Sequence, residues 1–63
     1  MDIQTAINEG NLILKNNSIK TAIIDSEILM SKTIKKDRKY IILNLKKDLT
    51  AQLYKNYQFL IKE

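Results

Sequence analysis

Apolar side chains recur along the chain in two kinds of pattern. Ile3, Ala6, Ile7, Gly10, Ile13 and Leu14 fall three and four apart, which predicts a helix with one apolar face, starting at Asp2 or Ile3 and reaching Lys15. Leu53, Tyr54, Tyr57, Leu60 and Ile61 repeat that spacing near the other end, with Phe59 off the face. Residues 21–34 differ. There Ile24 and Ile28 take one side, Leu29 a second, and Ile23, Met30 and Ile34 a third. A helix apolar nearly all round is a buried helix. The second helix is therefore expected to be the hub, with all six of these side chains in the core. Leu12 points away from the apolar face of its helix and is expected at the surface.

Polar residues punctuate these segments. Asn16-Asn17-Ser18 ends the first helix, since asparagine tolerates the left-handed backbone that closes helices, and Ile19 is expected to tuck back into the core. Thr21 is placed to cap the second helix, with Asp25 and Glu27 near its positive end. Two apart on a helix, these acids point roughly 160° away from each other and cannot share a catalytic site. Lys35-Lys36 closes the hub, and Asp37 suits the N-cap of a short third helix from Arg38 to about Leu45. Tyr40-Ile41-Ile42-Leu43 has strand propensity, but the chain offers no second strand to pair with it, so helix is preferred. Leu49-Thr50 reads as an apolar residue before an N-cap and opens the fourth helix. That helix reaches Glu63 with no glycine, proline or polar tail to stop it, so it is expected to continue in a longer parent protein. The expected fold is all-α: a bundle of four short helices, or five if a turn is counted separately, around a buried second helix.

Length and charge narrow this picture. A chain of 63 residues makes one domain at most, and at that size only about 60% of the unfolded surface is buried. With neither cysteine nor histidine, it has no disulfide and no ordinary zinc ligand set. Cysteine absence fits a cytoplasmic protein. Met1-Asp2-Ile3-Gln4 lacks the basic start and apolar run of a signal peptide, and no apolar run is long enough to span a bilayer. The net charge of +4 is concentrated in residues 32–47, where Lys32, Lys35, Lys36, Arg38, Lys39, Lys46 and Lys47 face only Asp37. Such a patch suits an acidic protein surface, nucleic acid or plain solvent.

Catalytic parts are missing. Gly10 is the only glycine, so no phosphate-cradling loop exists, and Ser18, Ser26 and Ser31 have no base to activate them. Tyr40, Tyr54 and Tyr57 occupy core-like positions. No catalytic, cofactor-binding or metal-ligating residue is expected. The candidate partner-binding residues are Lys32, Lys35, Lys36, Arg38 and Lys39, which surround the turn after the hub. Helix, turn and helix with lysines loosely describes a DNA reader, yet the third helix is mostly apolar and lacks the arginine, asparagine and glutamine set that reads base edges.

The stretch Asp25-Ser26-Glu27-Ile28-Leu29-Met30 resembles the Asp-Ala-Glu-Leu-Leu-Leu stretch in the N-terminal helical domain of the peptide chain release factor glutamine methyltransferases, the HemK/PrmC family. Ile19-Lys20-Thr21 resembles the family's Ile-x-Ser/Thr lead-in. Asp37-Arg38-Lys39-Tyr40-Ile41-Ile42 resembles its basic-then-aromatic run, and Leu49-Thr50 its Leu-Ser/Thr. The ordered set covers essentially the whole chain. Two departures stand out. Ala22-Ile23 replaces a frequent Pro-Arg, and Lys35 replaces a glycine, so the hub must end without that left-handed glycine.

The resemblance implies a small helical domain that helps recognise or position the release factor. It also implies a separate catalytic domain that binds S-adenosylmethionine and holds the substrate glutamine through an Asn-Pro-Pro-Tyr motif. That motif is absent from this chain, which has no proline. The expected partners are thus a peptide chain release factor and the parent's own catalytic domain, with no membrane and with nucleic acid disfavoured. The alternatives are a basic helical nucleic-acid-binding domain or a generic helical interaction module.

Overall fold

Four helices account for most of the chain in the computed structural model, which describes residues 1–62: α1 (Ile3–Asn16), α2 (Ala22–Ile34), α3 (Arg38–Leu43) and α4 (Ala51–Lys62). No strand forms among the described residues; a single antiparallel bridge joins Asp2 and Asp48. The fold is an all-α bundle. The expected passage of the last helix through Glu63 lies outside the described residues.

Helix starts follow the local chemistry. The first three amides of a helix have no partner within it. In α1 the Thr5 amide donates to the Asp2 carboxylate at 2.8 Å, which makes Asp2 the N-cap and holds its pKa below the ordinary aspartate range. The Ile3 and Gln4 amides donate to the carbonyls of Lys47 and Leu45, at 3.0 and 2.9 Å. The Leu49 amide in turn donates to the Met1 carbonyl at 2.8 Å. The connection between α3 and α4 therefore caps α1 and pins the start of the chain. Asp37 caps α3 through the Tyr40 amide at 2.9 Å, and Thr50 caps α4 through the Leu53 amide at 3.2 Å. Thr21 stands at the start of α2 but makes no side-chain cap; its hydroxyl donates to Asp25 instead.

Two helix ends required left-handed backbone without glycine. After α1 it is Ser18, not an asparagine, that takes it, with φ 64°, while the Asn17 side chain donates back to the Ile13 carbonyl. After α2 it is Lys35, with φ 60°. The amides of Lys35 and Lys36 both donate to the Ser31 carbonyl and close the turn. Helix α3 stops at Leu43, two residues short of the expected end, and Asn44 closes it through its side-chain bond to the Tyr40 carbonyl.

Helix α2 is the hub in that it packs against α1, α3 and α4. Its packed face is not the expected one. Of the six apolar residues assigned to the core, only Met30 is fully buried; Leu29 and Ile34 are half-buried, and Ile23, Ile24 and Ile28 are exposed. The buried positions are Ala22, Ser26, Met30 and Thr33, which are mostly small and lie on one face. Small side chains let three helices approach closely, and the bulky isoleucines are left on the outer side. Ile19, also expected inside, is exposed as well.

Ser26 is polar and fully buried, and it is paid for by hydrogen bonds. Its hydroxyl lies 2.9 Å from both Asn11 Oδ1 and the Ile23 carbonyl, and its carbonyl accepts from the Tyr57 hydroxyl at 3.1 Å. The node joins α1, α2 and α4. Burial pushes the Tyr57 hydroxyl far above the ordinary tyrosine range, against a smaller opposing effect of its bond to Ser26. Gly10 makes this possible: a Cβ there would collide with the Tyr57 hydroxyl and lie 3.1 Å from Ile61 Cδ1. Leu12 is exposed, as its off-face position predicts, and Phe59 is exposed as well.

Candidate functional site

The close of α2 and the cap of α3 together gather the basic residues. Lys32 lies in the last turn of α2, Lys35 forms the left-handed corner, and Lys36, Arg38 and Lys39 follow around Asp37. All five are exposed. Arg38 differs from the rest, because its guanidinium holds the Glu27 carboxylate at 2.7 Å and ties α3 to α2. Half-exposed pairs of this kind contribute roughly 0–1 kcal/mol. It is the one ion pair among the described residues, so Lys32, Lys35, Lys36 and Lys39 have no carboxylate at pairing distance there. Asp25 and Glu27 have separate structural tasks, at Thr21 and Arg38.

Two further residues belong to this end of the molecule, Tyr40 and Lys47. With Asp37 as N-cap, Tyr40 falls one turn into α3, and its ring comes within 5.5 Å of the Lys36 ammonium. The ammonium of Lys47 lies 5.7 Å from the same ring and donates to its hydroxyl at 3.0 Å. That hydrogen bond, helped by the two lysine charges and opposed by desolvation, lowers the Tyr40 pKa. The charge excess of residues 32–47 already included Lys47. Its meeting with Tyr40 had no sequence signal, because the contact depends on the α3–α4 connection folding back over α1.

The outer side of α2 forms a second surface. Ile23 and Ile24 lie exposed beside Lys15 and Lys20, and Ile28 lies in a shallow depression with Ile19 and Leu60. Had all six apolar residues been in the core, the hub could not have served as a contact face. The exposure of Ile23, Ile24 and Ile28 removes that restriction.

The space beside Gly10, the one glycine of the chain, is filled by the Tyr57 hydroxyl and by Ile61. No cluster of acidic side chains with metal-ligand geometry forms, and no helix is long and apolar enough to cross a membrane, among the described residues.

The fold defines a small all-α domain that carries an exposed basic turn and an exposed apolar strip on α2. Comparison with known families takes the assignment further: a family model described as the PrmC N-terminal domain matches residues 5–63. The chain belongs to that family, an N-terminal domain of methyltransferases that is distinct from their catalytic domain. Comparison with curated proteins and with solved structures found no match.

Proposed function

We propose that this domain helps recognise or position a peptide chain release factor, so that a glutamine of that factor reaches an S-adenosylmethionine-dependent catalytic domain of the same parent protein in the cytoplasm. Family membership supports the methyltransferase context. The observation that carries the contact surface is the set of four lysines at the exit of α2, Lys32, Lys35, Lys36 and Lys39, exposed and with no carboxylate partner among the described residues. Basic groups in this state favour association with an acidic protein surface and hasten encounter with it.

The nucleic-acid alternative has less support. Helix α3, which would have to enter a groove, has six residues and exposes Ile42 and Leu43. Base readers present hydrogen-bonding side chains there.

Titration of the ¹⁵N-labelled domain with the release factor tests the proposal. Amide shifts centred on residues 32–47 are expected, weakening as salt rises. Shifts confined elsewhere, or none at millimolar protein, would overturn the placement. Shifts centred on Ile23, Ile24 and Ile28 would move the contact to the outer side of α2.

A further inference from the structure

Beside the basic exit lies a groove of about 260 Å³ between the end of α2, the start of α3 and the entry of α4. Its apolar lining includes Ile34, Leu49 and Leu53, and its rim carries Lys36, Tyr40 and Lys47. Backbone bonds fix where these three residues stand. The Lys36 amide is held by Ser31, the Tyr40 amide by Asp37, and the Lys47 carbonyl by the amide of Ile3. The Tyr40 oxygen accepts from Lys47, which leaves its own hydrogen without an acceptor among the described residues. Lys36, Tyr40 and Lys47 thus line one groove, with both ammonium groups within 6 Å of the Tyr40 ring centroid.

We propose that this groove binds the carboxylate of a glutamate or aspartate carried on an apolar segment of a protein partner. The lysines and the Tyr40 hydroxyl donate to the carboxylate, and the neighbouring aliphatic side chain of the segment enters the groove. Charge complementarity selects an anion, since neither lysine is within ion-pair distance of an acid among the described residues. Two features select a carboxylate on an apolar peptide over a nucleic-acid phosphate. Asp48 lines the same groove and repels any anion there, a multiply charged backbone more than a single carboxylate. The Tyr40 ring, which would have to stack on a base, already has two ammonium groups within 6 Å. The proposal rests on reading this end of the molecule as a protein-contact surface, and it adds Tyr40 and Lys47 to that surface together with the chemistry of what they take.

The test is titration of the ¹⁵N-labelled chain with acetyl-Leu-Glu-Leu-amide and, separately, with acetyl-Leu-Gln-Leu-amide. The acidic peptide is expected to shift the amides of Lys36, Tyr40, Lys47 and Leu49, and to bind about threefold to tenfold more tightly than the neutral one. Tyr40→Phe and Lys47→Met, each with an otherwise unchanged spectrum, are expected to remove most of that difference, whereas Lys55→Met, outside the groove, keeps it. Equal affinity of the two peptides overturns the proposal. So does tighter binding of a single-stranded oligonucleotide at the same amides. Competition with the whole release factor separates this proposal from the wider one. A factor that shifts residues 32–47 without displacing the acidic peptide leaves the basic exit as the contact and shows that the factor does not use the groove. A peptide that binds while the factor shifts nothing supports the groove and overturns the release-factor reading.

Discussion

At Gly10, α1 and α4 come as close as the absence of a side chain allows. A methyl group there meets the Tyr57 hydroxyl, which cannot retreat because Tyr57 is buried and bonded to Ser26. Overpacking of this kind costs about 1–3 kcal/mol, against a gain of about 1 kcal/mol in helix propensity. Gly10→Ala is therefore expected to lower stability by a net of about 0–2 kcal/mol, read as a lower urea midpoint. Tyr57→Phe removes the colliding oxygen, so the cost of Gly10→Ala in that background is expected to shrink markedly. A cycle of the four proteins measures the coupling. The notch was legible in the sequence, since a lone glycine on an apolar helical face needs a neighbour to justify it. Its partner was not, because tyrosine on a core stripe gives no sign of where its hydroxyl ends.

At the scale of helices, starts were easier to read than faces. Asp2, Asp37 and Thr50 cap α1, α3 and α4 as their positions predict, because a cap depends on a side chain and an amide three residues on. The face α2 buries depends on what three other helices leave room for, and no window of α2 contains that information. Counting its isoleucines placed Ile23, Ile24 and Ile28 inside, whereas Ala22, Ser26 and Thr33 occupy the crowded side. The energetic consequence is testable. Ile23→Ser, Ile24→Ser and Ile28→Ser are each expected to change stability by less than about 0.5–1 kcal/mol, as at surface positions. Met30→Ala, which empties a fully buried site, is expected to cost about 2–5 kcal/mol. Thermal melts of the four variants decide between the two assignments of the core.

For the molecule as a whole, the four-helix class and the basic excess of residues 32–47 were visible from spacing and charge. The way the start of the chain meets the α3–α4 connection was not. Lys47 reaches Tyr40 only because the connection after α3 lies against the start of α1, through bonds from Ile3, Gln4 and Leu49 that link backbone to backbone and carry no residue preference. The candidate groove exists because of that closure. This is why the sequence pointed to the turn after α2 yet omitted two of the three donors at its mouth.

The same closure alters how the first turn of α1 should exchange its amide hydrogens with solvent. Helix starts ordinarily exchange fast, since their amides face water. Those of Ile3 and Gln4 are instead released only when the segment from Leu45 to Lys47 lifts away. They are expected to exchange on the order of a hundredfold more slowly than the amides of Ala51 and Gln52 at the start of α4, after correction for intrinsic rates. Deuterium uptake resolved by residue checks this. Equal rates would mean that the first turn of α1 parts from the α3–α4 connection far more readily than the rest of the bundle opens. Slow ones make Ile3 and Gln4 built-in reporters of whether the groove at Lys47 is closed.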